Sequence, residues 1–91
     1  MNAKKNILLL GRRNHAEAMR VAAGLTIFGH SVKLVFMDRE VEDTEENRAQ
    51  AELLELSDIV PQTTVPDSDL TVLNSGQLAQ LLAEADAVLN V

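Results

Sequence analysis

Gly11-Arg12-Arg13-Asn14-His15 gathers two guanidinium groups, an amide and an imidazole in five consecutive residues. The chain as a whole is acidic, with a formal net charge of -6, so this stretch is a local reversal of sign. Arginine suits bidentate contact with phosphate, sulfate or carboxylate. The stretch also stands at the predicted start of a helix, where unused backbone N–H groups and the helix dipole favour negative charge. A small anion is the ligand these residues would hold. A second reading stays open, in which Arg12 and Arg13 answer the acidic residues after Asp38 or the acids of another subunit. Asp38 itself follows the second apolar run. His15 and Asp38 could meet across the sheet edge as a base and its orienting acid. Thr63 and Thr64 are a third polar pair at a predicted strand end. The candidate binding residues are therefore Gly11, Arg12, Arg13, Asn14, His15 and Asp38.

Other chemistries lack their parts. A dinucleotide fingerprint needs three glycines at set spacing, and only Gly11 is present. The P-loop lysine and its Ser/Thr are missing too. Ser31, Ser57, Ser68 and Ser75 fall at element boundaries, where turn and capping roles account for them. Asp38 to Glu46 is a charge run, but it lacks the central glycine and alternating oxygen ligands of a calcium loop. It reads as a solvated loop entering a helix, with Asp43 or Thr44 as N-cap. His30 reads as a helix C-terminal cap or a surface residue. There is no cysteine, so disulfides, thiolate metal sites and thiol chemistry are excluded within the chain. Neither a metal nor a cofactor is expected, and any enzyme would have to use the His15 edge.

The elements that must position these groups follow from hydrophobic periodicity. Met1 to Lys5 reads as a frayed start. Ile7 to Leu10 is continuously apolar, the pattern of a strand covered on both faces. Asn14 is a natural N-cap, with Glu17 completing a variant of the capping box. The helix should run from about His15 to Phe28, and Gly29 suits the left-handed residue that ends it. Its apolar arc is wider than one sheet face needs, which implies contact with another helix or another subunit. Val32 to Met37 is a second buried strand, parallel to the first through a crossover. Asn47 to Leu56 continues the helix after the charge run, with Ala49, Leu53 and Leu56 on one face and Leu54 beside them. Ile59 to Val65 favours extended backbone, but Pro61 restricts it to an edge strand or an extended loop. Leu70 to Leu73 is a short apolar stretch. Asn74 caps a third helix with Gln77 at N3, and Leu78, Leu81, Leu82 and Ala85 are its expected buried face. Ala87 to Val91 is a last strand.

Alternating strands and helices in 91 residues predict one α/β domain, residues 1–91. The expected architecture has three layers, with about four strands in a mostly parallel sheet and three helices. Aromatics make up only 2% of the chain, so the core must come from Leu, Val, Ile and Ala. Subunit association would add buried area. The acidic balance disfavours nucleic acid and anionic membranes. The apolar run after Lys4 and Lys5 is too short for a signal peptide or a span. The expected location is the cytoplasm.

The opening NILLLGRRNHAEAMRVAAGLTIFGHSVKLVFMDREV resembles the start of the DsrE/DsrF-like family, also called YchN-like. It shares an apolar strand, an Ala-rich helix, a Gly-His turn and a strand ending near an acid. The tail GQLAQLLAEADAVLNV is similar to the family's closing helix, Ala-Asp pair and strand. The resemblance implies an α/β subunit that assembles as a trimer or hexamer, and it covers roughly two-thirds of the chain. Members that carry sulfur use a cysteine in the central segment. Here that region, about Ile59 to Leu73, has none, and Thr63 and Thr64 lie near its place. A hydroxyl cannot form a persulfide. The family also includes subunits without the cysteine that act with protein partners. The expected function is therefore that of a non-catalytic subunit or small binding domain acting through oligomeric assembly, with an accessory place in a sulfur relay as one form of it. The alternative is a small-anion or nucleotide-binding protein, or a small enzyme, using Arg12, Arg13, His15 and Asp38.

Overall fold

The computed structural model describes residues 5–91. Apart from Lys5, the start expected to fray lies outside the described residues. Five strands and three helices follow in order: β1 (Asn6–Gly11), α1 (His15–Ile27), β2 (Ser31–Phe36), α2 (Glu45–Leu56), β3 (Gln62–Thr63), β4 (Thr71–Val72), α3 (Ser75–Glu84) and β5 (Ala87–Asn90). All strand pairs are parallel, and the sheet order is β4-β3-β2-β1-β5. The chain moves outward from β1 to β4, then returns to lay β5 against the other side of β1. The strand order thus reverses between β1 and β5.

Strand alternation sorts the core into two halves. Leu9, Leu34 and Phe36 face α1 and α2, packing with Ala18, Met19, Ala22 and Leu54. Leu8, Leu10 and Val35 face α3, with Leu73 and the partly buried Leu78, Leu81 and Ala85. The result is the three-layer α/β architecture expected. Its central strands are apolar on both faces because both faces are covered.

The wide apolar arc of α1 is explained inside the chain. One part meets β1 and β2, and the rest meets α2. Small residues at Ala18, Ala22 and Ala23 let these layers approach closely, and all three are buried. The Asn14 side chain accepts from the Glu17 N–H at 3.1 Å. Glu17 does not complete the capping box, because its carboxylate pairs with Arg20 at 2.6 Å. Gly29 has φ 92, the left-handed conformation that ends the helix.

Three readings need correction. In α2 the inner face is Leu54 with the half-buried Asn47, Gln50 and Leu53, while Ala49 and Leu56 are exposed. In α3 no residue is fully buried, and Leu82 points largely to solvent. The segment from Ile59 to Val65 holds a strand, but β3 lies between β2 and β4 rather than at an edge. Pro61 is compatible with this because it precedes the ladder instead of entering it. The short apolar stretch at Leu70 to Leu73 supplies β4, the fifth strand. Thr44, not Asp43, caps α2 by accepting from the Asn47 N–H at 3.1 Å, and Asp43 pairs with Arg48 instead.

Candidate functional site

The carboxyl ends of the parallel strands bring together the end of β1, the start of α1, the loop after β2 and the end of β5. Open α/β sheets bind ligands at such an edge, near the point where strand order reverses. Gly11 closes β1 in close quarters. A Cβ there would meet the Ala18 Cβ and the Phe36 Cδ1 at 3.1 Å, so glycine lets α1 and β2 converge. The Gly11 carbonyl accepts from the Met37 N–H at 2.9 Å.

The backbone amides of Arg12 and Arg13 are engaged by β5. Both donate to the Val91 carbonyl, at 2.7 and 3.0 Å. The Arg12 Nε also donates to the Asn90 Oδ1 at 3.0 Å. Arg12 therefore belongs to the β1–β5 side of the edge. Arg13 is exposed and borders two crevices, the first of them shared with Arg12, Asn90 and Val91.

The second crevice lies between the start of α1 and the β2–α2 loop. Its volume is about 220 Å³, and Arg13, Asn14, His15 and Arg39 line it together with Glu42 and Glu46. Arg39 fastens the two loops, because its guanidinium donates to the Arg13 carbonyl at 2.7 Å. Asn14 spends its side chain on the helix cap. The first N–H groups of α1, at His15 and Ala16, have no intrahelical acceptor, as at any helix start.

His15 is only 4% exposed. Its ring leans on Phe36, with centroids 4.9 Å apart and planes at 59°. The Nε2 atom is enclosed and has no hydrogen-bond partner. Burial pushes the imidazole pKa below its ordinary value, and the nearby Arg39 charge pushes the same way. The Met37 and Gly11 carbonyls and Glu42 oppose that shift without reversing it.

Asp38 is exposed, in a left-handed conformation with φ 74. It does not border the crevice of His15, and no hydrogen bond joins the two among the described residues. A base with its orienting acid is thus not assembled. Gly11, Arg13, Asn14 and His15 do converge, whereas Arg12 turns to β5 and Asp38 to solvent. Thr63 is buried for structural reasons: its Oγ1 donates to the Phe36 carbonyl and accepts from the Val65 N–H, both at 3.1 Å. His30 is partly buried and accepts from the Lys5 N–H at 3.3 Å.

Arg39 and Asn90 are the edge residues that sequence reasoning passed over. Arg39 was hidden inside an acidic run. Asn90 was hidden because strand order cannot be read from periodicity. Among the described residues, no cluster of His, Asp and Glu could hold a metal ion. No helix among them is long and apolar enough to cross a membrane. Comparison of the chain with known protein families, with curated proteins and with solved structures finds no match.

Proposed function

We propose that this chain is a non-catalytic binding subunit of DsrE-like type, working in the cytoplasm through assembly with copies of itself and with a protein partner of a sulfur relay. One observation carries the reading. Ile27, Phe28, Leu56 and Val60 are all more than three-quarters exposed. They occupy the C-terminal ends of α1 and α2 and the segment after α2. Because both helices run back against parallel strands, these positions lie at the same end of the domain, opposite the strand-end crevices. Single exposed apolar residues are ordinary, but a concentration at one end marks an association surface. The resemblance supplies the expected number of copies, three or six. With no cysteine in the chain, sulfur chemistry must reside in the partner.

The expected outcome for Phe28→Asp is loss of assembly with retention of the fold. Light scattering after size exclusion should show the mass falling to that of one chain, while far-UV circular dichroism stays unchanged. An unaltered assembly would remove this end of the molecule from the interface.

A further inference from the structure

We propose that the open edge of β5 pairs antiparallel with β5 of a second copy, about a two-fold axis at Leu89. β5 is an edge strand, and among the described residues no strand lies on its outer side. Natural sheets blunt such an edge with shortness, charge, proline or a bulge. β4, the other edge, has two residues and follows a loop that holds Asp67 and Asp69. β5 is longer and reads Ala87-Val88-Leu89-Asn90, with neither charge nor proline. Val88 and Leu89 point to opposite faces, and each is 38% exposed. The edge is therefore apolar and partly open on both faces.

The backbone fixes the register. The Val91 N–H donates to the Leu10 carbonyl, so Leu89 and Val91 turn their backbone groups to β1. Val88 and Asn90 turn theirs outward. Val88 of each copy can lie opposite Asn90 of the other, each pair exchanging both N–H···O bonds. Leu89 then faces its own counterpart in a non-hydrogen-bonded pair, with Cα atoms about 4.5 Å apart. Charge selects this partner and this sense. Glu84 and Asp86 are exposed and precede β5. Arg12 and Arg13 gather at its far end, where both N–H groups donate to the Val91 carbonyl. Antiparallel pairing sets the acids of each copy near the arginines of the other, whereas parallel pairing sets like beside like. An isologous contact satisfies both ends at once.

The strip is small beside a standard interface, so it joins copies that are already held together. In that respect it rests on the assembly reading: copies joined at Ile27 and Phe28 meet at raised effective concentration. Edges that pair two by two need an even number of copies, which selects six over three.

Disulfide trapping tests the pairing. The chain has no cysteine, so Leu89→Cys supplies its sole thiol. Cα atoms about 4.5 Å apart lie within disulfide reach. In a glutathione buffer, Leu89→Cys should form a covalent two-chain species at least about tenfold faster than Val72→Cys on β4. Val72 is 41% exposed, so the two thiols are comparably accessible. Adding Val88→Pro to Leu89→Cys removes an outward donor from each copy without entering the β1 ladder, and should slow the link about tenfold. Adding Arg13→Glu instead, at an exposed position, should slow it through repulsion from the acids of the second copy, less so in high salt. Equal rates for Leu89→Cys and Val72→Cys would overturn the proposal, as would a rate that neither Val88→Pro nor Arg13→Glu changes. Adding Phe28→Asp separates the two readings. It should slow the link while keeping the preference for Leu89→Cys over Val72→Cys. An undiminished rate there would count against the surface at Ile27 and Phe28 and uphold the β5 pairing.

Discussion

Phe36→Ala should cost about 3–5 kcal/mol of stability, the range for removing a buried phenylalanine. Phe36 is 2% exposed and is the largest fully buried side chain of the domain. Its ring stands under α1, close to Gly11 and against His15. Alanine would leave a cavity between β2 and α1 that the strands cannot close, because β2 is held on both sides by parallel ladders. Domains of this kind have only about 5–15 kcal/mol in total, so much of the stability should vanish. Urea unfolding followed by circular dichroism measures it, as a fall in midpoint with little change in slope. Phe28 is the matched control, with the same side chain at 79% exposure. Phe28→Ala should change the stability of the dissociated chain by no more than about 0.5 kcal/mol. Similar losses at both positions would contradict the packing described.

Mild acid should destabilise the fold through His15. The imidazole pKa is lowered in the folded protein by burial and by Arg39. The unfolded chain, with an ordinary histidine pKa of about 6.5, then binds the proton more readily. The contribution to stability is fully present above the unfolded value. It is lost as pH falls from there through the depressed folded value. The start of α1 adds to the penalty, since its dipole is positive where the new charge would sit. Unfolding midpoints measured from neutral pH down to about 5 should fall in the parent and fall less in His15→Gln. A pH profile insensitive to His15→Gln would mean that the ring is not buried as a neutral group.

Much of this fold was legible from local chemistry. The apolar runs at Ile7 to Leu10 and Val32 to Met37 are the two central strands, and their lack of alternation reflected coverage on both faces. Asn14, Gly29 and Asn74 marked helix ends because capping depends on near neighbours alone. The Asn74–Gln77 box is complete, with bonds of 2.8 and 2.9 Å. Where tertiary contact decides, local reasoning fell short. The face of α2 was misjudged because Asn47 and Gln50 turn inward while Leu56 turns out, against the simple rule of apolar burial. Strands β3 and β4 have only two residues each, too few to show a period.

The candidate site was half legible. A helix start rich in arginine could be read directly, and so could the positions of Gly11 and Asn14. The partners could not. Arg39 reaches the Arg13 carbonyl across a loop, and Asn90 reaches Arg12 from the far end of the chain. The burial of His15 depends on Phe36, which sequence spacing alone does not place beside it. The apolar surplus of α1 had two explanations, and α2 supplies one of them. The association surface proposed above is accordingly sought not on the flank of α1 but at its C-terminal end, where Ile27 and Phe28 are exposed.

Sedimentation velocity of the unaltered chain at micromolar concentration tests the assembly reading most directly. One chain has a mass of 9.9 kDa. The account predicts a single species of three or six copies that persists on dilution through the micromolar range. A stable species of one copy at those concentrations would contradict it.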